Sequence, residues 1–252
     1  MSSKPPAPST TQHIDAFIDL VSPYSYFATS HLLSLRPLLH SHSITLTIHP
    51  VYLGAIQVTT GNIPPFKIPA KAQYSKFDVP RAAAHFGVRY MKTSTPSSPS
   101  STPSWFPMAS LQAQRVLTVV KEEAEQEDEY ERVLLALFER VWVDGRNLGE
   151  REVLREVLAE VLGGGEEEEE GSRVMGRIGE EGIKKRLMEV TNWAVELGAF
   201  GMPFFSARNK QGKREPFFGS DRFEYLFEYL GLPLQRMRIK EKGEESGGGS
   251  KL

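Results

Sequence analysis

The chain has 252 residues, a formal net charge of −2, 40% hydrophobic and 25% charged residues. That length can bury a full core in one large domain or two modest ones, and the charge balance argues against nucleic acid or an anionic membrane as the main partner. Cysteine is absent, which excludes structural disulfides, thiolate metal sites and a cysteine nucleophile.

Residues 1–12 are rich in Pro, Ser and Thr, without an apolar segment or the arginines of a transit peptide, and read as a flexible tail. His13 to Leu20 becomes continuously apolar and predicts a buried strand. Ser22 then Pro23 is an N-cap followed by proline at the first helical position, so a helix is expected from Tyr24 to Arg36, closed by Pro37. Ile44, Leu46 and Ile48 alternate with Thr45 and Thr47, a strand expected to continue towards Leu53. This β-α-β opening predicts a parallel pair with a right-handed crossover.

The middle of the chain changes character. Ala82 to Phe86 suggests a helical turn, and the Ser/Pro-rich stretch 93–107 an exposed loop. Helical periodicity follows over 108–121, 128–143 and 149–162, strongest in the stripe Val133, Leu134, Leu137, Phe138, Val141 and Trp142. The glycine-flanked acidic run 163–171 reads as a solvated loop, and a further helix is expected over 183–197. Pro203–Ala207 and Glu215–Phe218 then predict two strands around a turn, and Asp221–Leu230 a last helix. No apolar run approaches the ~18 residues of a membrane span.

The pattern is α/β: a thioredoxin-like domain (13–56 and 200–235) interrupted by an all-helical, DsbA-like insertion (57–199), with a tail over 236–252. Ser22-Pro23-Tyr24-Ser25 stands where a redox member of that fold carries Cys-x-x-Cys. With both ends serine, a reactive sulfur must come from a ligand. A helix N-terminus offers free N–H groups and positive potential, and such a setting lowers a thiol pKa from its usual ~8.5. Ser22 would act there as a hydrogen-bond donor to a thiolate, not as a nucleophile; a serine before proline is otherwise simply a cap. Ser25 is expected to be only the next turn of the helix.

Two further segments supply matching parts. Met202-Pro203 precedes a strand, where Met202 could offer its N–H and C=O to an extended peptide. Phe218-Gly219-Ser220-Asp221-Arg222 opens a helix, with Ser220 or Asp221 as cap and Glu224 completing a capping box. That helix start could hold a ligand carboxylate while Asp221 meets an ammonium. His40 and His42 lack the partners of a catalytic metal site, no phosphate loop is present, and no metal or permanently bound cofactor is expected.

The segments Phe17–Tyr26, Gly61-Asn62-Ile63-Pro64-Pro65 with Pro69 and Lys71, Gly198–Pro203 and Phe218–Arg222 together resemble kappa-class glutathione S-transferases and the related 2-hydroxychromene-2-carboxylate isomerases. The resemblance implies a cis Met202-Pro203 bond. It further implies that glutathione is the co-substrate, with Ser22 on its sulfur, Pro23 and Tyr24 lining the site, and Met202 pairing with the cysteinyl backbone. Ser220 and Asp221 would hold the γ-glutamyl end, with Asn62 and Lys71 as further contacts; Asn62 reads alternatively as a turn residue and Tyr24 as packing. The implied reaction is conjugation of small electrophiles in detoxification, with hydroperoxide reduction as a side activity. A homodimer is implied as well. The alternatives are the isomerase reaction and a non-catalytic glutathione- or peptide-binding module. Ser250-Lys251-Leu252 matches the address read by the peroxisomal import receptor, with a mitochondrial or cytosolic location as alternatives.

Overall fold

The computed structural model describes residues 11–91, 105–124, 126–162 and 167–235. Strands β1 (Gln12–Ile18) and β2 (Ile44–Pro50) are parallel, with Ala16 opposite Ile48, and α1 (Pro23–Ser41) makes the crossover. Strand β3 (Phe204–Arg208) pairs antiparallel with the other edge of β1, and β4 (Arg214–Phe218) pairs antiparallel with β3, giving the order β2-β1-β3-β4. The long connection from β2 to β3 carries α2 (Leu53–Thr60), α3 (Pro69–His85), α4 (Leu111–Glu123), α5 (Glu127–Trp142), α6 (Arg151–Leu162), α7 (Glu167–Arg177) and α8 (Glu181–Glu196). Helix α9 (Phe223–Tyr229) follows the sheet. The expected thioredoxin-like sheet with a helical insertion is therefore present.

Period-two patterning sets the sheet faces. In β2, Ile44, Leu46 and Ile48 are buried while Thr45 is exposed. In α5, Val133, Leu134, Leu137, Phe138 and Val141 are fully buried on one stripe, and truncating one of the leucines to alanine would cost about 2–5 kcal/mol. The stripe packs onto the thioredoxin-like part: Tyr26 of α1 stacks on Phe138 with centroids 5.4 Å apart. Trp142 Nε1 donates to the Leu20 carbonyl at 3.0 Å, so the helical insertion grips the loop that leaves β1. The opposite face of the sheet holds a second cluster, in which Phe17, Ile56, Ala194, Met202 and Phe204 pack together.

Several elements differ from the sequence reading. Strand β1 stops at Ile18, because Asp19 turns the chain. Helix α1 passes through Pro37 to Ser41; the proline is exposed and near the helix end, where a missing backbone bond costs least. Strand β2 ends at Pro50, and Leu53 opens α2 instead of extending the strand. A full helix, α3, stands where only the turn 82–86 was expected; it starts with Pro69 at its first position and tolerates Pro80 inside. Part of the acidic run belongs to α7, whose later turns bury Val174 and Met175. Gln12, expected in the flexible tail, is buried and opens β1; residues 1–10, most of the predicted loop 93–107, much of 163–171 and the tail 236–252 lie outside the described residues.

Candidate active site

The turn from β1 into α1 is built around Asp19. Its carbonyl accepts from Ser22 N at 3.0 Å, and its carboxylate accepts from Val21 N at 3.0 Å, Leu53 N at 2.7 Å and Ser110 Oγ at 3.1 Å. One fully buried side chain thus ties together the β1–α1 loop and the entrances to α2 and α4. Burial raises the Asp19 pKa, and its hydrogen-bond donors oppose that rise. Ser22 emerges from the turn in extended conformation and caps α1, its Oγ accepting from Ser25 N at 3.3 Å, with Pro23 at the first helical position.

The Ser22 hydroxyl also donates to the Met202 carbonyl at 3.1 Å. Met202-Pro203 is cis, as the resemblance implied, and the Pro203 carbonyl accepts from Gly219 N at 3.0 Å. Glycine is needed twice nearby. Gly219 has φ +92°, and a Cβ there would come within 2.7 Å of the Asp221 carboxylate. A Cβ on Gly201 would lie 2.8 Å from the Phe218 ring, which also packs against Phe200 with centroids 4.5 Å apart.

These loops border a cleft of about 710 Å³ between α1, α3 and α9, within the ~300–1,000 Å³ range of sites that enclose a small organic ligand. At one end lie Tyr24, Met202, Pro203, Ser220 and Asp221, five of the residues expected from the sequence. Ser22 sits immediately beneath them, 7% exposed, joined to the wall through the Met202 carbonyl. Pro23, Asn62 and Lys71 do not line the cleft. Asn62 Nδ2 instead donates to the Phe200 carbonyl at 2.7 Å, bracing the cis-proline loop, and Lys71 is exposed in the first turn of α3.

Met202 was expected to present both its backbone groups to a ligand; here its carbonyl accepts from the Ser22 hydroxyl, a bond that a ligand amide would replace. One expectation is corrected. The capping box at α9 does not form: the cap is Arg222, without a side-chain bond, and the Asp221 carboxylate pairs with the Arg222 guanidinium. Ser220 remains buried at the cleft wall, ahead of the helix.

Apart from Lys71 and the turn 82–86, the α3 wall was missed from sequence. Asp78, Arg81 and His85 line the cleft, and with Tyr74 and Lys71 they form one stripe at three- and four-residue spacing, which was the available signal. The Tyr24 hydroxyl donates to Asp78 Oδ2 at 2.5 Å, bridging α1 to α3; burial and then the Asp78 bond raise the tyrosine pKa. His31, two turns beyond Tyr24 on α1, also faces the cleft. Burial, followed by the nearby His85, lowers its pKa, which favours the neutral imidazole. Among the described residues no cluster of three or more His, Asp or Glu could hold a metal.

The sequence model of the DSBA-like thioredoxin domain matches residues 13–231. A rat protein named glutathione S-transferase kappa 1 is 30% identical, the match covering 90% of this chain and 92% of that protein. A Caenorhabditis elegans protein of the same name is 31% identical, covering 87% and 91%. The solved structure of a 2-hydroxychromene-2-carboxylate isomerase superposes with TM-score 0.67 at 21% identity, covering 87% of this chain and 94% of that one. A probable DsbA oxidoreductase from Streptomyces coelicolor superposes with TM-score 0.59 at 16% identity, over 94% and 97%.

Proposed function

The chain belongs to the DSBA-like thioredoxin family and, within it, to the kappa-class glutathione S-transferases; on that premise we propose how its site works. The enzyme transfers glutathione to small electrophiles. The observation that carries the site assignment is the Ser22 hydroxyl, at the N-terminus of α1 and 3.1 Å from the carbonyl before the cis-proline. Glutathione lies along that loop, its sulfur over the first turn of α1. The amides there and the Ser22 hydroxyl favour the thiolate, each unit of pKa lowering corresponding to about 1.4 kcal/mol. The thiolate then attacks an electrophilic carbon: a C–S bond forms, and the leaving group departs with its electron pair. No residue of the chain is covalently modified. Reduction of a hydroperoxide would use the same thiolate together with a second glutathione.

Met202 N–H pairs with the cysteinyl segment, and Ser220 and Asp221 receive the γ-glutamyl end. For Asp221 to meet that ammonium, its pairing with Arg222 must open, which its exposure permits. Asn62 supports the loop from behind, and Lys71, outside the cleft on the first turn of α3, would contact the glycyl carboxylate only by swinging its side chain towards it. Titrating the protein with glutathione while following thiolate absorbance tests ligand and chemistry together. Growth of the thiolate signal near neutral pH, lost in Ser22→Ala with binding retained, is the expected result. Binding without a thiolate signal would overturn the role given to Ser22.

Ser250-Lys251-Leu252 directs the enzyme to peroxisomes. Deleting it from a fluorescent fusion should disperse punctate signal, and unchanged puncta would defeat the assignment. The detoxifying enzyme works as a homodimer; exposed apolar side chains on α2 and α3, among them Val58, Tyr74 and Phe77, support self-association. Sedimentation velocity should give twice the chain mass.

A further inference from the structure

The two groups that define the sulfur end, the Ser22 hydroxyl and the Met202 carbonyl, lie 180 residues apart in sequence, yet both trace back to Asp19, which does not line the cleft. On one side the Asp19 carboxylate accepts from Val21 N at 3.0 Å, which fixes the turn that delivers Ser22. On the other it accepts at 2.7 Å from the N–H of Leu53, the first residue of α2. Helix α2 has no side-chain cap of its own, so Asp19 fills that place from another segment. The helix ends at Gly61, in left-handed conformation, and Asn62 Nδ2 then donates to the Phe200 carbonyl at 2.7 Å, two residues before Met202. We infer that Asp19 is the positioning residue of the sulfur end: it sets the Ser22 hydroxyl and the cis-proline loop against each other, and through them the stability of the thiolate. The inference rests on the glutathione transferase reading of that site.

Three features carry it. Asp19 is fully buried, where a carboxylate persists only with its acceptor positions filled, and they are filled from three segments remote from one another in sequence. Ser110 precedes α4 but does not cap it; its hydroxyl turns instead to Asp19, 3.1 Å away. A local cap is thus given up for the tie to the sulfur loop. Finally, the tie is confined to one end of the cleft, since the other end, floored by the rings of His31, Phe86, Phe223 and Phe227, shares none of these bonds. Position and charge act in opposite directions on a bound sulfur. A negative charge behind the loop raises a thiol pKa, so its removal alone would lower it. Loosening the loop takes the Ser22 hydroxyl and the α1 amides out of line, which raises it.

The sign of that change is the test. Asp19→Asn keeps the shape of the side chain but turns an amide N–H towards at least one of the donors. With glutathione bound, thiolate absorbance against pH should show the thiol pKa raised by about one pH unit, roughly a tenfold loss of thiolate near neutrality. Conjugation at neutral pH should fall by the same factor and recover in alkaline buffer, while the Kd for glutathione changes only a few-fold. Ser110→Ala leaves the bonds of the sulfur loop in place and should raise the bound thiol pKa by less; where Asp19→Asn does not fold, this variant decides. Leu154→Ala, buried in α6, also lowers stability but should leave the bound thiol pKa at its wild-type value. A thiol pKa unchanged or lowered in Asp19→Asn and Ser110→Ala, or raised as much in Leu154→Ala, would overturn the inference while leaving the glutathione site intact. Absence of a thiolate signal in the wild type would instead overturn the reading beneath it.

Discussion

The two ends of the cleft are made of different materials. At the sulfur end the contacts come from main chain and caps: the first turn of α1, the cis Met202-Pro203 loop, and the Gly219 turn held by Pro203. At the far end they come from the side chains of α1, α3 and α9. Main-chain contacts depend on turn geometry, so they hold the thiol chemistry fixed whatever surrounds them. A floor of rings can change one residue at a time without disturbing that geometry. The division lets electrophile choice vary while sulfur activation stays constant.

The sharpest way to break this comparison is Ser22→Ala. Removing one preorganised donor to a developing or full anion typically costs 10²–10³ in rate, so conjugation should fall about 100-fold, with the pH–rate profile displaced to higher pH. Glutathione affinity should change only a few-fold, and an undiminished rate would end the case for a separate sulfur end. A smaller effect is expected from Tyr24→Phe, which sits where the two ends meet. It removes the bond to Asp78, worth about 1.5–3 kcal/mol for a charged acceptor. Loosening α3 should raise KM for the electrophile more than for glutathione, and an equal rise in both would show that the ends are not independent.

Asp15 lies on the other face of the sheet and serves as a control for both ends. Burial alone would raise its pKa, but His13 at 2.9 Å, His49 at 3.0 Å and Arg214 at 2.7 Å together hold it well below the usual carboxylate range. A depressed carboxylate contributes stability above its unfolded value of ~3.9, and that contribution is lost as pH falls through the folded value. Wild type should therefore lose stability more steeply than Asp15→Asn between about pH 4 and pH 2, and parallel acid-unfolding curves would refute the pairing. Both proteins should bind glutathione equally well. The smallest effect belongs to Ser25→Ala. Its hydroxyl is buried without a partner among the described residues, so removing it should leave conjugation within about twofold and stability equal or slightly higher.

The same division explains what the sequence disclosed. Ser22-Pro23 was legible because a cap and a proline at the first helical position are local signals. The strands around the Asn209–Gly212 turn were legible for the same reason. The α3 wall was hidden because Pro80 reads as a helix breaker, and because the stripe Lys71, Tyr74, Asp78, Arg81 and His85 is polar where periodicity arguments look for apolar residues. Pro69 and the Ala- and Lys-rich stretch after it were the overlooked start signal. The acidic run misled in a related way: its charge suggested solvent, yet Glu in a first turn favours a helix, and Val174 and Met175 give that helix a buried side. Asp19 carried no pattern at all, because its three partners at positions 21, 53 and 110 meet only in the folded chain.

The bond between the Ser22 hydroxyl and the Met202 carbonyl has a bearing on which thiols the enzyme will accept. To donate to a sulfur, the hydroxyl must let go of that carbonyl. A tripeptide brings an amide hydrogen to replace it, so both partners leave the exchange satisfied. A bare thiol such as mercaptoethanol brings none and would strand the carbonyl in a site where Met202 is only 6% exposed, a loss of about 1–3 kcal/mol. Discrimination against simple thiols would then need no steric gate: it would follow from one proton donor that cannot serve two acceptors at once.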